Sequence, residues 1–477
     1  MPETGARLTY GQLQRALDDA ISLMRGLGIE NGDRVALTAA NGPALILAFL
    51  AVTECGAAAA PLNPALGLRE VRAELTDLQV SRLFYEAPEG GASNAIAAAG
   101  TAGVPAIPMS LEDGAVTVAA ETRPTPFGPA DSSSIALLLH TSGTTSRPKT
   151  VPIRQRNLVA STRAVIDTYG LSESDTSMCV MPLFHVHGLV AAVLATLGTG
   201  GSVVVPARFR ASSFWDDVVR HRATWYTAVP TIHSLVLERA VQAPGLPAHG
   251  LRFVRSCSAP LPAVTWMRYE EAIRAPLLEA YGMTEAAHQM ASNPLPPEER
   301  RPGTVGHATG VELAILDDDW RPVAEGERGE VAVRGASVVD GYLDNPEANV
   351  ASFRDRWFRT GDVGSLSSDG YLTLVGRVKE LINRGGEKIS PYEIEDVLLT
   401  HPAVREAAAY PVPDKKYGEQ VGVVVVPKGE VEGPELIRYC RGRLADFKVP
   451  IRVTILPEIP KGPTGKVQRL TLSALVD

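Results

Sequence analysis

The run His140-Thr141-Ser142-Gly143-Thr144-Thr145-Ser146-Arg147-Pro148-Lys149 crowds hydroxyls, a glycine and a lysine into one loop directly after an apolar stretch. Ser142, Thr144 and Thr145 offer O–H groups, Gly143 lets backbone N–H groups turn inward, and Lys149 adds a point charge. Together they suit a polyphosphate. A solvated Ser/Thr/Gly loop is the plainer reading, but solvation does not require this ordered series. No Gly-Lys-Ser/Thr follows at the spacing of a Walker A loop, so that device is excluded.

Regular elements must hold such a loop in place. Ser134-Ile135-Ala136-Leu137-Leu138-Leu139 reads as a buried strand leading into it, and the residues after Pro152 resume a helix-compatible pattern. Short strand candidates recur at 34–37, 82–85, 177–180, 201–205 and 253–255, with helical stretches between several of them. That alternation predicts an α/β fold. Thr9 and Gln12 form a capping-box candidate, followed by Leu13, Ala16, Leu17, Ala20, Ile21 and Met24 at helical spacing. Residues 302–377 change character, with Gly, Val and Arg, turn signals and alternating strands, and read as a β-rich subdomain. A new α/β segment begins at Lys379, where Ser390 would cap a helix with Pro391 at its first position.

A length of 477 residues allows more than one domain with large buried cores. The net charge of −8 gives no electrostatic reason to bind nucleic acid. Cys55, Cys179, Cys257 and Cys440 are widely spaced, without a metal-ligand pattern, and read as reduced thiols. The first residues lack signal-peptide character, no run approaches a membrane span, and Leu475-Val476-Asp477 is not a peroxisomal address. A cytoplasmic enzyme without membrane insertion is the expectation.

The loop at 140–149, with segments near 181–188, 279–285, 357–362, 376–390 and 462–467, resembles the adenylate-forming superfamily of acyl-CoA synthetases, nonribosomal peptide adenylation domains and luciferases. Ser146 and Thr150 depart from it, standing where the usual pattern has glycine. A β-branched residue at Thr150 would be strained by about 1–3 kcal/mol if the position needed a positive φ. The resemblance implies a large N-terminal domain, 1–378, and a small mobile C-terminal domain, 379–477, hinged at Lys379. It implies that a carboxylic acid and ATP form an acyl-adenylate with release of pyrophosphate, and that the acyl group passes to a thiol, usually that of coenzyme A. Cationic groups and Mg²⁺ would neutralise the phosphate oxygens.

Roles follow by the same likeness. Thr141 through Thr145, with Lys149, would hold the ATP phosphates, and Ser258-Ala259-Pro260 would line the adenine. Tyr281 would stack on it, Thr284 would contact the α-phosphate, and Glu285 would ligate Mg²⁺ with Thr284 beside it. Asp362, an acceptor-only carboxylate, would take both ribose hydroxyls, with Arg377 also on the nucleotide. Lys466 would bind the substrate carboxylate and the α-phosphate during adenylation. Gly385 and Gly386 would face the active site after domain rotation and admit the thin pantetheine arm.

Pro182-Leu183-Phe184-His185-Val186-His187-Gly188 resembles a family segment with one histidine, matched by His185 near the substrate carboxylate. Here His187 follows. His288, three residues past Glu285, would lie one helical turn away if that segment were helical, and Arg255 and Ser258 enter from a neighbouring strand. Singly these are as readily structural residues. As a group they suggest a pocket polar enough for a second anionic group, in which a fatty acid would leave polar groups unpaired at about 1–3 kcal/mol each. Together with Trp225-Tyr226-Thr227-Ala228-Val229-Pro230-Thr231, this set is similar to oxalate–CoA ligases. The reading is therefore an ATP- and Mg²⁺-dependent acyl-CoA synthetase for oxalate or another short polar acid. Its rivals are an aryl or medium-chain acid ligase, an enzyme loading a carrier-protein thiol, and a non-catalytic nucleotide-binding regulator.

Overall fold

The computed structural model describes residues 1–86, 92–112, 115–118, 130–141, 148–242, 246–461 and 467–475. Four sheets organise them. The first runs in the order 115–118, 106–112, 82–86, 34–38, 58–61, 135–141, 149–154, with parallel neighbours at its centre and an antiparallel strand at each edge. Its central strands are apolar runs such as Val35-Ala36-Leu37 and Ala136-Leu137-Leu138, all buried, as parallel strands covered on both faces require. Helix Pro43–Glu54 is apolar on nearly every side and fills one such face.

The second sheet, in the order 307–308, 288–292, 277–283, 253–256, 225–228, 176–178, 202–204, is parallel from 202–204 to 277–283 and antiparallel beyond. The third is antiparallel and β-rich, with strands from Glu312 to Arg377, whereas His307–Ala308 pairs with the second sheet. The first and third sheets share one continuous apolar core containing Val35, Leu37, Val331 and Phe358. The fourth sheet belongs to a smaller C-terminal domain and has its own core of Ile382, Ile394, Leu398, Val423 and Leu436.

Local chemistry explains several boundaries. Helix Tyr10–Gly26 starts at a full capping box: Gln12 N donates to Thr9 Oγ1 at 3.3 Å and Thr9 N donates to Gln12 Oε1 at 2.8 Å. Ala16, Ala20 and Met24 form its buried stripe at spacings of four. Helix Pro391–Leu399 is capped by Ser390, whose Oγ accepts from Glu393 N at 3.4 Å. Tyr281-Gly282-Met283, turn-like in isolation, continue a strand, because Gly282 allows close pairing: a Cβ there would lie 2.0 Å from His288 O.

His288 requires a correction. Thr284–Ala286 is a single 3₁₀ turn, Ala287 adopts φ 52°, and His288 opens the strand His288–Ser292 rather than riding a helix. The chain therefore doubles back, with Met283 opposite His288. The four cysteines are unpaired and buried. Among the described residues no helix is long and apolar enough to cross a membrane.

Candidate active site

The strand ends of the first three sheets meet the C-terminal domain across a cleft of about 1780 Å³. Thr141 and Pro148 enter it from the hairpin Ile135–Arg154, in which Thr141 pairs with Lys149 and His140 with Thr150. Ser142, Gly143, Thr144 and Thr145 lie outside the described residues, as does Lys466. Thr150 sits in regular strand pairing and is not among the residues with positive φ. The anticipated strain is absent, because this position is β-strand, where a β-branched residue is at home.

Tyr281, Asp362 and Arg377 converge on one wall. Asp362 is paired with Arg377 across two antiparallel strands, and Arg377 Nε donates to Asp362 Oδ1 at 3.0 Å. The Tyr281 hydroxyl donates to Asp362 Oδ2. The Asp362 carboxylate raises the pKa of Arg377, and burial followed by the same carboxylate raises that of Tyr281. Arg377 is thus a fixed cation and Tyr281 a neutral phenol. Ala259 and Pro260 also line the cleft.

Glu285 is buried in its 3₁₀ turn beside Thr284, and its Oε1 accepts the Tyr342 hydroxyl at 2.9 Å. Lys149 Nζ lies 4.4 Å from the centroid of the Tyr342 ring. Burial lowers the pKa of Lys149, while Glu285 opposes that shift. Among the described residues no cluster of three or more His, Cys, Asp or Glu could hold a metal by itself. A single carboxylate near Lys149 would fit a nucleotide-bound Mg²⁺, which commonly takes one or two protein carboxylates and completes its shell with phosphate oxygens and water.

The polar group expected around the acid does assemble, in two layers. His185 and Ser258 line the cleft, whereas His187, Arg255 and His288 are buried and do not line it. Arg255 Nε donates to the Tyr169 hydroxyl at 2.8 Å, Nη2 to Gln289 Oε1 at 3.2 Å and Nη1 to Thr227 Oγ1 at 3.0 Å. Thr227 Oγ1 is 2.6 Å from His187 Nε2, and His187 Nδ1 is 3.0 Å from Ser258 Oγ. The His187 ring stacks on His288 with centroids 5.2 Å apart. Burial, then His288 and Arg255, holds the pKa of His187 well below the ordinary range; burial, then Arg255, does the same to His288. Both imidazoles are therefore neutral near pH 7.

Neutrality leaves a single N–H on the His187 ring, so one ring nitrogen donates and the other accepts. The Thr227 oxygen accepts from Arg255 and keeps a second lone pair beside its own proton; with that proton on His187 Nε2, the ring N–H sits on Nδ1 and donates to Ser258. In that tautomer the Ser258 proton is free to be donated into the cleft. Ser258 at φ 73° and His288 at φ 138° both hold backbone conformations costing on the order of 1–3 kcal/mol, of the kind that gathers at functional sites. His288 Nε2 has no hydrogen-bond partner among the described residues.

In the C-terminal domain, Lys461 and Val467 bridge each other and both line the cleft. Gly385 and Gly386, at φ 62° and 98°, form the tip of the hairpin 382–389 and do not line it. Lys379 lies in the turn that follows strand Leu372–Arg377.

Sequence reasoning missed Glu279 and Tyr342. Glu279 is two positions before Tyr281 on the same strand, so the period of two puts both on one face. It is buried, lines the cleft, accepts from Leu261 N at 2.8 Å and has no described partner for Oε2; burial pushes its pKa up to about 8. Strand alternation could have found it. Tyr342 is 57 residues from Glu285, and nothing local announces that contact.

Comparison with known proteins matches residues 2–343 to the AMP-binding enzymes and residues 393–466 to the AMP-binding enzyme C-terminal domain. The chain is 48% identical to a probable CoA ligase, CCL9, of Humulus lupulus, over 97% of this chain and 90% of that protein. It is 46% identical to an oxalate–CoA ligase of Arabidopsis thaliana, over 97% of this chain and 92% of that one. The ATP-bound crystal structure of MatB from Rhodopseudomonas palustris superposes with a TM-score of 0.89 at 29% identity, covering 99% of this chain and 95% of that one.

Proposed function

Because this chain belongs to the AMP-binding enzyme family, we propose that its cleft activates oxalate, or another short acid with a second polar end, and delivers it to coenzyme A. The enzyme is an AMP-forming acid–thiol ligase with an ATP-binding fold. One carboxylate oxygen of the acid attacks the α-phosphorus of ATP and pyrophosphate leaves. The coenzyme A thiol then displaces AMP from the acyl carbon, giving the thioester.

Residues that line the cleft and others packed behind it, Lys149, Thr284 and Glu285 among them, have a part in this. Tyr281 and Glu279 present a ring and a polar edge to the base, while the backbone of Ser258-Ala259-Pro260 closes over it. Asp362 takes the ribose hydroxyls, with Arg377 fixing its orientation. Thr141 to Thr145, Lys149 and Thr284 would hold the phosphates, Glu285 would hold Mg²⁺, and Lys466 would bridge acid and α-phosphate. When bound, Mg²⁺ would neutralise phosphate charge and hold the polyphosphate for in-line displacement. His185 faces the reacting carboxylate.

The relay from Arg255 through Thr227 and His187 to Ser258 carries the substrate assignment. With the His187 N–H on Nδ1, it aims one hydroxyl proton into the cleft, backed by a buried guanidinium, which suits an acceptor on the far end of a short acid. The relative named as an oxalate–CoA ligase supports the same acid. Ser258→Ala removes that donor without disturbing Arg255. Because a site built to hydrogen-bond its substrate discriminates strongly, kcat/KM for oxalate should fall on the order of tenfold or more. KM for ATP should hold, and the advantage of oxalate over a monoacid of similar size should shrink. Equal losses for diacid and monoacid would sink the assignment of Ser258.

A further inference from the structure

Residues 335–345 connect strand Gly329–Arg334 to helix Pro346–Ser352, and this loop is tied to both sides of the proposed phosphate region. Val339 N donates to Glu285 O and Leu343 N to Thr150 O, each at 2.9 Å. Asp340 pairs with Arg154 and Arg156 at 3.2 and 2.5 Å, fixing the loop to the strand that carries Lys149 and the helix beyond it. Tyr342 is held through its own backbone, donating to Asn349 Oδ1 at 2.6 Å and accepting from Asn349 Nδ2 at 2.9 Å. Its ring is packed edge-on against Phe353. This side chain is immobilised before it touches anything catalytic.

We propose that Tyr342 is a positioning residue that holds Glu285 by its hydroxyl and Lys149 by its ring face, keeping two opposite charges apart and each available to a metal–nucleotide. The proposal rests on the reading of the cleft as an ATP site. Lys149 and Glu285 lie close enough to influence one another, yet among the described residues they form no direct ion pair. A partly buried ammonium next to a carboxylate would collapse onto it unless each had another partner, and an incoming nucleotide would then have to break that pair. Tyr342 supplies both partners. The hydroxyl occupies one lone pair of Glu285 Oε1 and leaves the other oxygen for a cation. The ring offers the ammonium a cation–π contact, which is weaker than a charge-assisted bond to phosphate. Lys149 can therefore transfer from ring to phosphate.

Nucleotide binding without acid or coenzyme A tests this. Calorimetry of ATP binding across a Mg²⁺ series should give Tyr342→Phe an ATP affinity near wild type at saturating Mg²⁺, because the ring remains. Its half-saturating Mg²⁺ should rise by about tenfold, the scale of one hydrogen bond to a charged group. Tyr342→Leu should weaken ATP even at saturating Mg²⁺. Combining Tyr342→Phe with Glu285→Gln should add little beyond Glu285→Gln alone, a coupling that a general packing defect would not produce. A wild-type Mg²⁺ midpoint in Tyr342→Phe, or additive effects in the pair, would overturn the proposal. Absence of ATP binding by the wild type would overturn the parent reading with it. A Mg²⁺ shift in Glu285→Gln alone would leave that reading standing and remove only the part given to Tyr342.

Discussion

Thr150 shows how far one residue can be misjudged from a pattern. The expected strain depended on a positive φ, but the structure puts Thr150 opposite His140 in an antiparallel hairpin, with its carbonyl accepting Leu343 N–H. Glycine there would lose β-propensity and gain unfolded-state freedom, so Thr150→Gly should destabilise the protein by roughly 0.5–1 kcal/mol. Thermal unfolding checks this: the midpoint should drop with no gain in ATP turnover, and a higher midpoint would restore the strain argument. The residue types of the proposed nucleotide wall were legible because Tyr281, Asp362 and Arg377 sit in ordered motifs. Their contacts were not, since Asp362 meets Arg377 through strand register and Tyr281 through a fold-back of 81 residues. His187 and His288 were legible as a polar group but not as a second layer, because burial depth leaves no mark on spacing.

Among elements, the segment after the paired histidines matters most. His187–Leu194 is a π-helix, a form that recurs at functional sites. Its residues are almost wholly apolar and buried, so composition announces a buried helix and not the wider turn. Gly188 makes it possible: a Cβ there would lie 2.4 Å from Pro182 O and 2.8 Å from Met181 O. Those backbone atoms cannot yield without moving His185 and His187. Gly188→Ala should therefore cost several °C of thermal stability and most of the acid-dependent pyrophosphate release. Unchanged stability and activity would mean that the turn tolerates a wider path. The long strands of the sheets were readable from apolar runs and alternation. The stretch from Thr284 to His288 was not, because a 3₁₀ turn followed by a fold-back obeys neither helical nor strand periodicity.

At the scale of the whole molecule, two separately cored domains enclose the cleft, and the ends of the lysine loop face it while the glycine hairpin does not. On our proposal this is the arrangement for adenylation, with the boundary at 378/379 and rotation about Lys379 bringing Gly385 and Gly386 round for the thioester step. Within the C-terminal domain Arg469 is buried and bonded to Glu395 and to Glu380, the residue after the proposed hinge. The flank of the lysine loop is thereby tied to the proposed pivot. The most direct measurement is pyrophosphate release and thioester formation by the wild type across oxalate, malonate, acetate, a medium-chain acid and an aromatic acid, each with and without coenzyme A. Lys466→Ala, assayed alongside with free acid and with supplied acyl-adenylate, isolates the first half-reaction. The account predicts the highest kcat/KM with oxalate, a thioester only when coenzyme A is present, and loss of adenylation but not of thioester formation in Lys466→Ala. Preference for the aromatic or medium-chain acid over both diacids would contradict it.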